Sequence, residues 1–256
     1  MMGGVQPTSD LARYFDQWYA DMEHSPVKDR IEQRHLRLPA HLLSTSLLGW
    51  DGIAEVTAEL RLQDGELLLD AACGRGGYGL EVAQRTGARL VGIDLSAEAV
   101  RQAREQASRL GRLGEFLVGS LEASGLGARS VDAAMCIDAI QFAEPPADAY
   151  EELGRVVRPG GRVVLTCWEA EDRDDDRVPE RLRRVDLAQG LTRAGFVDVE
   201  VREKPHWRTA ELELWREAAA LDPGEDPALQ SFRDEGRRVL ERPFGVRRVL
   251  AAATAA

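Results

Sequence analysis

Two carboxylates and a run of glycines carry the first chemical signal in this chain. Asp70-Ala-Ala-Cys-Gly-Arg-Gly-Gly77 follows a strand-like run at 66–70 and opens a helical pattern, and Asp94 closes the next strand-like run 24 residues after Asp70. Glycines in such a loop let backbone amides approach a ligand at a helix N-terminus. A carboxylate at the end of the second strand can accept both hydroxyls of a ribose. The loop departs from the GxGxxG fingerprint built for a pyrophosphate: it has the spacing DxAxGxG, with an acid at the strand end. An acid there suits an amino or sulfonium cation and repels a phosphate.

Parallel strands must hold these residues. Apolar runs at 66–70, 89–94, 116–118, 131–137 and 162–167 read as strands covered on both faces, alternating with helical patterns as in a doubly wound sheet. Between the second and third, 97–110 has Val100, Ala103, Ala107 and Leu110 at helical spacing. Pro145 and Pro146 open a further helix, which Arg158-Pro-Gly-Gly161 stops and turns into the fifth strand. Asp186 caps a helix through Ala194, and 196–201 and 245–253 read as a sixth and seventh strand, the last antiparallel. A helical insertion at about 205–243, with patterns at 210–221 and 227–240, separates them. The expected fold is thus α/β: a Rossmann-like, doubly wound, seven-stranded sheet, with an N-terminal helical cap over 1–50 and the main domain over 51–256. Three cap helices are expected at 9–22, 27–38 and 40–48, with a fourth starting at Asp51. The charge run 169–177 reads as a solvated mobile loop.

Composition narrows the partners. Lys+Arg 33 against Asp+Glu 44 gives a net charge of −11, which disfavours nucleic acid and anionic lipid surfaces. No apolar run reaches the ~18 residues of a membrane span, and the first residues lack a secretory pattern, so the expected location is cytoplasmic and the expected partner a small molecule. Cys73, Cys136 and Cys167 lack the spacing of a disulfide or zinc framework, so no metal is expected. A homo-oligomer is compatible with the sequence.

The chain resembles the class I methyltransferases that use S-adenosylmethionine, in particular the small-molecule branch called methyltransferase type 11. The resemblance covers about 64–168 and rests on LLLDAACGRGGYGLEVA (67–83), LVGIDLS (90–96), FLVGSLEASGL (116–126), SVDAAMCIDAIQF (130–142) and GRVVRPGGRVVLTCWE (154–169). It implies that Asp70, Gly74 and Gly76 contact the methionine part of the cofactor and Asp94 the ribose. Leu95 and Leu121 would flank the adenine, and the Cys136-Ile137 backbone would meet the amino group. Leu48-Gly49-Trp50 looks like an aromatic cofactor-contacting motif, and Tyr14 sits where an N-terminal helix covers the carboxylate. Ala72 replaces a glycine, which fits if its φ is negative. Ser120 stands where an Asp is common and can accept from the adenine amino group through its hydroxyl.

Methyl transfer needs an acceptor lone pair in line with the S–CH₃ bond, so proximity and orientation can supply up to ~7–11 kcal/mol. A neutral amine needs no base, whereas a hydroxyl of high pKa needs a proton acceptor. The acceptor is expected above the ends of the fourth and fifth strands, over Asp138, Gln141, Trp168 and Glu169. Asp138 is the candidate base, with a cap of the following turn as its alternative role. Of His24, His35, His41 and His206, His41 is favoured because its helix should face the cofactor mouth. Trp50 and Trp168 would wall a flat or greasy acceptor, such as a quinone-like ring or another secondary-metabolite intermediate. A non-catalytic S-adenosylmethionine-binding protein shares these motifs. A nicotinamide-dependent oxidoreductase needs a second βαβαβ half and a pyrophosphate loop, and neither is seen.

Overall fold

Runs that are apolar throughout become the middle of a sheet, because strands covered on both faces need no polar alternation. β1 (Leu67–Ala71), β2 (Arg89–Asp94), β3 (Glu115–Val118), β4 (Val131–Ile137) and β5 (Val157–Ala170) are parallel, and β6 (Phe196–Glu203) and β7 (Val246–Ala255) complete the order β3-β2-β1-β4-β5-β7-β6. β7 runs antiparallel to both neighbours and sets Arg248 opposite Trp168. The computed structural model describes residues 10–23, 25–43, 45–241 and 245–256. Residues 1–9, His24, Ser44 and residues 242–243 of the expected elements lie outside them.

Helices cover both faces. α3 (Trp50–Leu60), α4 (Gly77–Thr86) and α5 (Ala97–Leu110) pack on one, and α6 (Pro146–Val156) and α8 (Leu187–Arg193) on the other. α5 is fixed at both ends: the Ser96 side chain accepts from the Ala99 amide, and Gly111 ends it in the left-handed region. Asp186 caps α8 in the same way, by accepting from the Gln189 amide. Above the carboxyl ends of the strands lie α1 (Asp10–Glu23), α2 (Pro26–His35), the short α7 (Glu180–Arg183), α9 (Pro205–Ala219) and α10 (Pro227–Glu241). α9 begins five residues earlier than its apolar pattern, because Pro205 sits at the first helical position, where its missing N–H is not needed.

Three expectations need correction. The described residues of 40–48 form no helix, because other elements hold their backbone carbonyls. Gln33 donates to Ala40 and Leu42, Gln106 to His41, and the Tyr78 hydroxyl to Ser46 and Leu48. The leucines that suggested a helix are buried in irregular backbone, with Leu42, Leu47 and Leu48 joining the α3–α5 core. Residues 158–161 do not precede the fifth strand: β5 begins at Val157 and takes them up at a bulge, between the Val131–Val157 and Ala133–Arg162 pairs. Glu169 is not solvated, because it accepts from the Leu187 amide at 2.9 Å and pairs with Arg247 at 2.8 Å.

Gly190 of α8 meets the buried Tyr150 ring of α6, and a Cβ there would overlap the ring. Gly190→Ala should therefore lose about 1–2 kcal/mol, since overpacking of ~1–3 kcal/mol outweighs the ~1 kcal/mol gain in helix propensity. Urea unfolding checks this, and a more stable variant would mean that the two helices separate freely.

Candidate functional site

The glycine loop and two buried acids converge at the ends of β1 and β2. Asp94 accepts from the Gly74 amide at 2.8 Å and the Ser96 amide at 2.9 Å, so the second strand end holds the loop. Asp70 is buried, and its Oδ2 has no hydrogen-bond partner. A Cβ on Gly79 would stand 2.5 Å from that oxygen, so only glycine lets α4 pass this close. Burial, and then the Asp94 charge, push the Asp70 carboxyl up to about 8, although the Gly79 amide opposes them. Burial also lifts Asp94, to about 6, against the hydrogen bonds it accepts. Two acids held partly protonated by enclosure form a site that waits for positive charge.

Ala72 departs from expectation: its φ is +60°, in the left-handed region, where a side chain costs roughly 1–2 kcal/mol. Gly74 and Gly76 are also left-handed, at +52° and +75°. Cys136 and Ile137 lie buried at the end of β4, and Leu95 and Leu121 are half-buried beside the loops. The Ser120 hydroxyl accepts from the Ala123 amide at 3.1 Å, which fixes the turn that presents Leu121.

Tyr14 lies on the exposed face of α1, and Trp50 stacks on a side chain of α4. Tyr14 is 59% exposed, because the buried stripe of α1 runs through Ala12, Tyr19 and Met22. Tyr19 is the buried tyrosine of α1: its hydroxyl lies 3.4 Å from the Thr45 hydroxyl, and both crowd Gly74. The helical spacing of 12, 19 and 22 was the available signal for it. The Trp50 ring stacks with the Arg85 guanidinium, 4.0 Å from the ring centroid, in the last turn of α4. α2 reaches the loop through Arg75, which pairs with Asp29 at 2.8 Å.

The two catalytic candidates are also placed differently. His41 Nε2 faces Glu81 at 3.6 Å. Glu81 is also held by Arg85 at 3.0 Å and Arg112 at 3.3 Å, so the His41 ring faces an acid already paired in the second turn of α4. Asp138 has φ +56° and is buried among five donors. Arg248 Nη1 and Nη2 reach it at 2.6 and 3.0 Å, the Thr166 hydroxyl at 2.8 Å, the Ser46 hydroxyl at 2.5 Å and the Leu47 amide at 3.2 Å. A carboxylate offers about four lone-pair sites, so these donors occupy it fully. Burial alone would raise its pKa; the Arg248 charge and hydrogen bonds outweigh that and hold it below the usual carboxylate range. Such a group positions and is a poor proton acceptor. Gln141 donates to the Asp138 carbonyl, so it closes the turn after β4.

Arg248 stacks on Trp168, 4.0 Å from the ring centroid. The Trp168 indole donates to Glu211 at 2.8 Å, joining the end of β5 to α9. A surface cleft of about 440 Å³ between Arg37 and His206 is a weaker candidate. Arg34 and His35 on its wall bind Glu217, and His206 faces Asp51, so few free polar groups converge there.

Residues 69–165 match the family model of a methyltransferase domain. The chain is 31% identical over 149 residues to the botryococcene C-methyltransferase of Botryococcus braunii, covering 57% of this chain and 39% of that protein. It is 35% identical over 130 residues to the mitochondrial ubiquinone biosynthesis O-methyltransferase of Schizosaccharomyces pombe, covering 49% and 46%. The chain thus spans less than half the length of these curated relatives. Phosphoethanolamine N-methyltransferase 2 of Haemonchus contortus, solved with S-adenosyl-L-methionine, superposes with a TM-score of 0.75 at 19% identity, over 98% of this chain and 60% of that one. At that identity the likeness is one of fold.

Removing the Arg248 charge strands Asp138 in a dry site. Arg248→Met should lose about 3–5 kcal/mol, as broken buried pairs do, and adding Asp138→Asn should restore part of it. Unfolding midpoints of the two variants check this; a single variant as stable as wild type would contradict the placement.

Proposed function

From a chain that carries a class I methyltransferase domain over residues 69–165, we propose an enzyme that transfers a methyl group from S-adenosylmethionine to a small-molecule acceptor. The single observation that carries this reading is the unpartnered, buried Asp70 Oδ2 beside a left-handed glycine loop, with Asp94 one strand away. S-adenosylmethionine, when bound, supplies a methyl group made electrophilic by its sulfonium. Asp70 and the Gly74–Gly76 loop would hold its methionine part, Asp94 its ribose, and Leu95, Ser120 and Leu121 its adenine. The Cys136-Ile137 backbone would meet the amino group. Positive charge on the ligand answers the enclosed acids, which a dinucleotide phosphate would not.

The cover supplies the rest. Tyr19, Thr45 and the Asp29–Arg75 pair lie against the loop, and Asp138 ties residues 46–47 to the strand ends. Residues up to 50 act as a cap that excludes water from the transfer, and the helices near 205–243 close the other side. In-line positioning carries most of the acceleration. Three buried, unpaired cysteines suit the cytoplasmic location we assign, and a secondary-metabolite intermediate is the acceptor we favour.

Ionised acids bind the cationic ligand and protonated ones do not, so affinity should fall as the pH drops below the raised values of Asp70 and Asp94. Calorimetry with S-adenosylmethionine, which carries the sulfonium charge, should show affinity rising between about pH 6 and 8, by up to about tenfold per unit for each proton released. Asp94→Ala should lose on the order of 10²-fold, from two hydrogen bonds of ~1.5–3 kcal/mol each. Tight binding of a nicotinamide dinucleotide with no S-adenosylhomocysteine signal would overturn the reading.

A further inference from the structure

One face of α1 is tied to α5 through Asp16, Tyr19 and Glu23, which are spaced as helical neighbours. Gln102 donates to the Tyr19 carbonyl at 2.9 Å, Arg101 pairs with Glu23 at 2.7 Å, and Tyr19 and Met22 pack against Ala99. These contacts dock the cover on the helix that follows β2. The Asp16 contacts reach further, to the strand end itself.

Ser96 stands between the cover and the second buried acid. Its hydroxyl donates to Asp16 Oδ1 at 2.6 Å and accepts from the Ala99 amide at 3.0 Å, so its one proton is committed to the cover. Its own amide donates to Asp94 Oδ1 at 2.9 Å. The same Asp16 oxygen accepts from the Glu98 amide at 3.1 Å, one of the N–H groups that the first turn of α5 leaves free. A single oxygen of the cover therefore holds the turn between β2 and α5, and with it the amide that orients Asp94. Ser96 is fully buried, where a lost partner is not replaced by water. From the other side the Gly74 amide holds Asp94 Oδ2 at 2.8 Å, so two amides set the plane of this carboxylate.

We propose that Asp16 is a positioning residue for the cofactor: through Ser96 it sets the Asp94 carboxylate against the ribose, so that docking of α1 and binding of the ribose are one event. This rests on the ribose assignment of Asp94 and adds a residue that touches neither ligand. An undocked α1 leaves the Ser96 hydroxyl and the Glu98 amide without their acceptor, and the turn that carries the Asp94 contact loosens. Conversely, a ribose held by Asp94 favours the turn that Asp16 recognises, and linkage makes the two effects equal. The charges of Asp16 and Asp94 oppose each other across Ser96, so the hydrogen bonds keep the arrangement and the charge does not. Both bonds go to one oxygen of Asp16, so an amide in place of the carboxylate should serve as well.

The test is a mutant cycle read by calorimetry with S-adenosylhomocysteine at about pH 8, where Asp94 is ionised, with the melting temperature of each protein measured beside it. Asp16→Ala removes the acceptor oxygen, Asp16→Asn keeps it, and Asp16→Ala is also combined with Asp94→Ala. We expect Asp16→Ala to lose about tenfold in affinity and Asp16→Asn to bind within about twofold of wild type. In the Asp94→Ala background, Asp16→Ala should cost no more than about twofold further, because the group it positions has gone. An equal loss in both backgrounds would make Asp16 a fastener of the cover alone, and a loss in Asp16→Asn as large as in Asp16→Ala would make its charge the active element. Either result overturns the proposal. So does wild-type affinity in Asp16→Ala, or a variant too unstable to fold without ligand, which would assign Asp16 to the fold. An Asp94→Ala protein that binds as wild type does would remove the ribose assignment on which the proposal rests. Failure of wild type to bind S-adenosylhomocysteine would instead overturn the methyltransferase reading, and the proposal with it.

Discussion

A dry ion pair at the carboxyl end of β4 holds the functional half of this protein together. Asp138 and Arg248 have side chains that are 2% and 0% exposed, and each charge is tolerable there only because the other meets it. The cation comes from the antiparallel β7, whose register places Arg248 beside Trp168. The anion leaves β4 in a left-handed conformation and so meets the Ser46 hydroxyl and the Leu47 amide of the cover as well. The sheet, the Trp168 ring under Arg248 and the cover therefore meet at one carboxylate.

The cofactor end works by a different balance. Enclosure raises the cost of ionising both Asp70 and Asp94, and a neighbouring charge adds to it: Asp94 for Asp70, and Asp16 for Asp94. Stability is given up at the place where a cationic ligand would restore it, as is common where binding sites are pre-formed. α2 joins the two ends: Asp29 grips Arg75 of the glycine loop, and Lys28 turns toward Phe232 of α10.

Much of the sheet was legible because its signals are local. The residues of β2, β4 and α5 coincide with the apolar runs and stripes read from the sequence, since parallel strands and amphipathic crossovers write their burial into neighbouring positions. Residues 40–48 misled because their leucines have helical spacing while their carbonyls are held by Gln33, Gln106 and Tyr78 from elsewhere in the fold. Arg248 was invisible as a site residue because its partner lies 110 positions away. The strained Ala72 has no sequence signal beyond the glycine it replaces.

The central claim is that residues 10–50 close over a cofactor bound at the ends of β1 and β2. Hydrogen exchange of the whole protein, with and without S-adenosylhomocysteine, tests it most directly. The account predicts slower exchange across 36–49 and the glycine loop on binding, with the middle of β5 slow in both states. Equal exchange in the cover with and without bound S-adenosylhomocysteine would contradict it.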